Sequence, residues 1–311
     1  MALQKEITMA DVLFPIKKHG GKWSIYQRYY HMSPVPDMHF KYILNMMKYG
    51  GLNVSVSFDP ETSPNFKYIT SPPLDNSTAK NKFEIRFFGK EVLIDITDIF
   101  AETTTPDIAK HFDSVFTTHW NENLHKSIGN VYPLSVINFT DWNLFKRMKQ
   151  QINYHPNPNK LILNNQRPMG DKWRRAKAQK LITTKYKTQC SVEFYKDQKQ
   201  FFLNINNALV YVHVPGCRPD VLDRAQTQMF GLGMCTISPK YDETFAHYAK
   251  IVEWEHYVPC RENLDDLEEK IEWCKSNTTK CKEIGDNAKN FFDEHCHPSK
   301  LVPWMKTCLN V

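Results

Sequence analysis

The stretch from Leu209 to Cys260 constrains this chain most. A short apolar strand, Leu209 to Val214, runs into a Pro215-Gly216 turn carrying Arg218, and Pro219 and Asp220 open a helix. Val221, Leu222, Ala225, Met229 and Phe230 share one face of that helix, and Gly231 and Gly233 end it. A second strand follows from Met234 to Ser238. In a parallel sheet, this order puts the turn and the helix N-terminus at the carboxyl end of the strand, where open α/β sheets bind ligands. Backbone N–H groups and the helix dipole favour an anion there, and Arg218 and Arg224 add positive charge. A phosphate is the expected guest.

The run Tyr154-His155-Pro156-Asn157-Pro158-Asn159 can continue neither helix nor strand, so it is the natural boundary. Beyond it the pattern is regular. Strands at Lys160 to Leu163 and Gln189 to Tyr195 alternate with helices at Lys172 to Thr183 and Asp197 to Asn207, which argues a parallel, doubly wound α/β sheet. Helices follow from an Asn263 N-cap, over Cys281 to Phe292 and over Ser299 to Leu309. Before the boundary, a hairpin around Gly89-Lys90, strands at Ser114 to Thr118 and Val131 to Asn138, and a helix at Asp141 to Ile152 mix without a clean order. The expected division is an N-terminal α/β domain over 1–155, a Rossmann-like domain over 156–295 and a C-terminal helix over 296–311, and 311 residues suffice for two cores.

The loop Gln166-Arg167-Pro168-Met169-Gly170-Asp171-Lys172, followed by Trp173-Arg174-Arg175, leaves the first strand of the second domain on the same sheet edge as Gly216 and Arg218. Two cationic strand–helix turns on one edge make a convergent diphosphate site, with Arg167, Lys172 and Arg175 on one turn and Arg218 and Arg224 on the other. The rest of the Lys172 to Lys180 face reads equally as a solvated basic surface. Asp223 either accepts from a sugar hydroxyl or pairs with an arginine. Glu253-Trp254-Glu255-His256-Tyr257 pairs carboxylates with aromatics, as a base and sugar would require, or as a packed domain edge would. The adjacent ligand types in Glu294-His295-Cys296-His297 point different ways on a helix end, so no metal is expected.

A net charge of +6 suits an anionic small ligand and does not demand nucleic acid. No apolar run reaches the length of a membrane span, the polar start Met-Ala-Leu-Gln-Lys-Glu is no signal peptide, and the eight scattered cysteines lack paired zinc spacing. Reduced thiols in a cytoplasmic protein are expected, as a monomer or weak dimer. There is no D-x-D run, phosphate-binding GxxxxGK[ST], GxSxG elbow or complete GxGxxG, so kinase, hydrolase and classical dehydrogenase readings lack their signatures.

The runs Gly216-x-Arg218-x₄-Asp223-Arg224, Phe230-Gly231-Leu232-Gly233, Ile237-Ser238-Pro239, Glu255-His256-Tyr257-Val258-Pro259 and the segment Leu264 to Trp273 resemble the donor-binding half of GT-B glycosyltransferases, most closely the CAP10-like group. That resemblance covers roughly Leu161 to Phe292. It implies two Rossmann-like domains facing across a cleft, with C-terminal helices packing back. It also implies a UDP- or GDP-linked sugar held by the second domain and a glycan, glycolipid or glycoprotein acceptor held by the first. Transfer would then need no metal or other cofactor. Arg167, Arg175, Gly216, Arg218 and Arg224 would neutralise the leaving diphosphate, although Pro215-Gly216-Cys217-Arg218 replaces the group's glycine- and serine-rich turn. An inverting enzyme would draw its base from the first domain, where His19, Asp95 and His119 lie at predicted strand ends or turns; a retaining one would need none. A nucleotide-sugar epimerase on the same scaffold, or a non-catalytic carbohydrate- or nucleic-acid-binding protein, are the alternatives.

Overall fold

The computed structural model describes residues 12–19, 22–25, 46–57, 82–95, 104–118, 120, 122–134, 142–160, 162–163, 166, 172–191, 198–206, 208–215, 222–240 and 249–311. The chain divides into two compact units. Unit 1 comprises residues 1–119, 124–134 and 298–311, and unit 2 comprises 120–123 and 135–297.

Unit 1 is built on a mixed sheet of β1 (Val12–His19), β2 (Lys22–Ile25), β3 (Val54–Ser57), β4 (Lys82–Phe87), β5 (Lys90–Asp95), β6 (Ser114–Thr117) and β7 (Val131–Pro133). Their order is β2-β1-β4-β5-β6-β7, with β3 also pairing β1. Strands β5, β6 and β7 run parallel, and β4 is antiparallel to β1 and β5. The β4–β5 hairpin turns through Phe88 at φ 48° and Gly89 at φ 78°, the paired positive values that suit the right-handed twist of its strands. Short helices follow as α1 (Pro106–Ala109), capped by Thr105, and α2 (Glu122–His125). The C-terminal helix Pro298–Leu309 belongs to this unit. Its Trp304 Nε1 donates to the Pro133 carbonyl at 2.9 Å, and Lys306 lies over the Phe88 ring.

Unit 2 opens with α3 (Trp142–Gln151) and then alternates as the sequence implies. Strands β8 (Ile162–Leu163), β9 (Cys190–Ser191), β10 (Val210–Val212), β11 (Thr236–Pro239) and β12 (Val258–Cys260) form one sheet in the order β12-β11-β10-β8-β9. Every pairing is parallel. Helices α4 (Lys172–Lys185), α5 (Gln198–Ile205) and α6 (Arg224–Gly231) make the crossovers between β8 and β11. Strand residues Val210 to Val212 and Thr236 to Pro239 are buried throughout, as expected of parallel strands covered on both faces. Two further helices, α7 (Leu267–Ser276) and α8 (Thr278–Phe291), complete the unit.

Two helix starts differ from the sequence expectation. Helix α6 begins at Arg224 with Asp223 as its N-cap, later than Pro219 would suggest, because the Asp223 carboxylate accepts the Gln226 N–H at 3.0 Å. Helix α7 begins after Asp266 rather than after Asn263. Asn263 instead accepts from Asp265 N–H within a turn, and Leu264 takes φ 61°, which a continuing helix forbids. The core closes where α6 and α8 meet: a Cβ on Gly231 would stand 2.8 Å from the Phe145 ring and 2.9 Å from that of Phe292. No described helix is long and apolar enough to cross a membrane.

Candidate functional site at the carboxyl edge of the parallel sheet

Numbered within its own sheet, the order β9-β8-β10-β11-β12 reads 2-1-3-4-5, so the winding direction reverses between β8 and β10. Loops leaving two such strands diverge to opposite faces and open a crevice, the usual ligand position in doubly wound sheets. The two loops singled out from the sequence are those that leave β8 and β10.

Described residues lock the crevice walls together. Val214 N–H, just beyond β10, donates to Gln166 Oε1 at 2.7 Å, and Gln179 Nε2 of α4 donates to the Gln166 carbonyl at 2.8 Å. Arg175 donates from Nε and Nη2 to the Val214 carbonyl at 3.2 and 3.1 Å. Arg175 therefore anchors Val214, where the chain leaves β10. Gln166 does the same from the β8 side, a role the sequence alone did not suggest.

A second cluster follows β10. His213, wholly buried, sets Nδ1 3.2 Å from Ser238 Oγ and Nε2 3.0 Å from Asp223 Oδ1. Burial pushes the Asp223 carboxyl up, but the charge and hydrogen bond of His213, the Gln226 N–H and Arg175 together hold it at about 2. Asp223 thus pairs with a histidine rather than an arginine, while Arg224 beside it is exposed. Gln226 Nε2 donates to Thr236 Oγ1 at 2.7 Å, which ties α6 to β11.

The Asp223 carboxyl lies at 3.8 in the unfolded chain and about 2 in the fold, so the folded state binds fewer protons between these values. Its stabilisation is present above about pH 5 and is lost as pH falls through 2. The full contribution is about 2 kcal/mol. Urea unfolding should show the wild type losing about 1 kcal/mol more than Asp223→Asn between about pH 6 and about pH 3. Parallel losses in the two proteins would refute the pairing.

Glu253 pairs at 3.3 Å with Lys240, the residue that follows β11, and bridges to Tyr257. Glu255 lies in the turn entering β12, 3.8 Å from His256 Nε2. That turn immediately precedes the strand. The exposed Trp254 packs edge-on against Trp273 with centroids 4.9 Å apart. Lys172 begins α4, while Arg167, Gly216 and Arg218 lie outside the described residues.

The basic face of α4 is in part ion-paired, and Lys180 on it is exposed. Arg174, buried, meets Glu262 at 3.3 Å, Lys177 pairs with Asp265, and Lys185 pairs with Glu268. Acids on and before α7 thus pair with Arg174 and Lys177 of the Lys172 to Lys180 face and with Lys185 beyond it. In unit 1, Asp95 ends β5 fully buried, and its Oδ2 accepts from Thr104 Oγ1 at 2.9 Å. His19 ends β1 at the same sheet edge, and His119 lies outside the described residues. Of the Glu294 to His297 run, His295 and His297 pack against the rings of Phe291 and Trp142.

Residues 233–311 match the family model described as glycosyl transferase family 90. This family-90 segment takes in β11, β12, α7, α8 and the C-terminal helix, with Lys240, Glu253 and Glu255, and stops short of Asp223 and Arg175. The chain is 37% identical over 57 residues to uncharacterized protein 035R of Invertebrate iridescent virus 3, a stretch covering 18% of this chain and 5% of that protein. It is 34% identical over 64 residues to human protein O-glucosyltransferase 3, covering 21% of this chain and 12% of that protein. Only a small part of each relative is therefore matched. The family-90 segment and the O-glucosyltransferase stretch both support glycosyl transfer.

Proposed function

We propose that the protein is a GT-B glycosyltransferase that moves a sugar from a UDP- or GDP-linked donor to a hydroxyl of a glycan, glycolipid or glycoprotein acceptor. One observation carries this reading: in unit 2 the two arginine-bearing loops leave adjacent strands at the switch point of a parallel sheet whose last strands belong to the family-90 segment. Because Asp223 already caps α6, the diphosphate falls to Arg218 and Arg224 and to the backbone at Gly216, with Arg167 and Lys172 contributing from the other loop. Such fixed cations stabilise charge as it develops on the leaving group, without a metal. Arg175, committed to the Val214 carbonyl, acts by positioning the loop. In an inverting reaction, unit 1 supplies the base from among His19, Asp95 and His119.

Thermal unfolding with UDP, GDP, CMP and dTDP and their sugars, in the presence of a chelator, tests the proposal. One diphosphate at about 100 times its dissociation constant should stabilise the fold by roughly 2.7 kcal/mol, and Arg218→Ala should abolish the shift. Slow hydrolysis of the matching sugar donor should accompany it. No shift with any nucleotide, and no hydrolysis, would sink the reading.

A further inference from the structure

Cys235 lies immediately before β11, Cys274 in the last turn of α7 and Cys281 in the first turn of α8. Their three sulfur atoms lie within 4.8 Å of one another, and none of the three residues has exposed surface. Three sulfurs bonded at about 2.3 Å to one central ion stand about 4 Å apart, so a small inward shift would complete such a triangle. We propose that Cys235, Cys274 and Cys281 form a three-sulfur site for Cu⁺, a structural site that ties α7 and α8 to the sheet.

A buried cysteine ordinarily behaves as a small apolar side chain, and one or two thiols here would call for nothing more. Three in mutual contact, contributed by three elements, place only soft sulfur donors around one point, and sulfur selects soft cations. Each sulfur that binds Cu⁺ as a thiolate releases one proton. The neighbouring Tyr154 hydroxyl donates to the Leu209 carbonyl. Among the described residues no histidine, carboxylate or fourth cysteine joins the group, which suits a three-coordinate ion better than tetrahedral Zn²⁺.

The reduced full-length protein should take a single Cu⁺ per chain from a chromogenic Cu⁺ chelator, and Cys274→Ala and Cys281→Ala should each lower that uptake at least tenfold. Cys296→Ala and Cys308→Ala should leave it unchanged. X-ray absorption of the loaded wild type keeps the test independent of how the variants fold, and it should show a first shell of three sulfurs. No uptake by the wild type, uptake that survives Cys281→Ala, a shell dominated by nitrogen or oxygen, or a disulfide within the trio of the reduced protein would each overturn the site.

Discussion

Gly285→Ala should destabilise the protein by about 3 kcal/mol, despite placing a better helix former in α8. Alanine in a helix interior is favoured over glycine by about 1 kcal/mol, so an unobstructed site would gain stability. Here the added methyl would press into the Gly233 carbonyl oxygen, with the Gly233 carbonyl carbon at 3.0 Å and Tyr154 Cε1 at 3.1 Å. Gly233 holds φ 72° in the turn that ends α6, and its backbone cannot swing aside as a flexible side chain would. Overpacking typically costs 1–3 kcal/mol, and a backbone obstacle belongs at or beyond the upper end. Urea unfolding should show a lower midpoint with an unchanged slope, while Glu283→Ala on the exposed side of α8 stays within about 0.5 kcal/mol. A Gly285→Ala protein as stable as the wild type would mean that α8 does not approach the Gly233 turn so closely.

His213→Leu should cost about 3 kcal/mol, because it leaves the Asp223 carboxylate without the ring nitrogen that lies 3.0 Å from it. The substitution strips both Asp223 and Ser238 of their imidazole partner. It also raises the Asp223 carboxyl, so the acid-sensitive window moves to higher pH. A double-mutant cycle with Asp223→Asn should give a combined loss well below the sum of the single ones, since both remove one interaction. Additive losses would show that the two side chains act separately.

Much of unit 2 was legible before the fold was known. Apolar runs such as Leu209 to Val214 and Met234 to Ser238 do form parallel strands, with helices between them, although only Val210–Val212 and Thr236–Pro239 pair in the ladder. The start of α6 was misread because Pro219-Asp220 resembles a helix opening, whereas Asp223 both caps the helix and meets His213. Unit 1 was less legible: its sheet mixes parallel and antiparallel neighbours around β1 and β4, and no short sequence pattern specifies which distant strand pairs with which.

By itself the sequence determined the local order of elements in the second half, the two cationic loops that leave β8 and β10, and the match of residues 233–311 to the family-90 model. Those features live in near-neighbour spacing, because helix and strand periods and turn residues act over a few positions. Only the tertiary structure decided that Arg174, Lys177 and Lys185 of α4 meet acids at and before α7, that Asp223 answers to His213, and that Cys235, Cys274 and Cys281 share one buried point. The residues that α4 pairs with, at and before α7, lie more than eighty positions away, as for Arg174 and Glu262, 88 residues from each other. Their meeting follows from how α4 and α7 pack beside the same sheet, which no local pattern encodes.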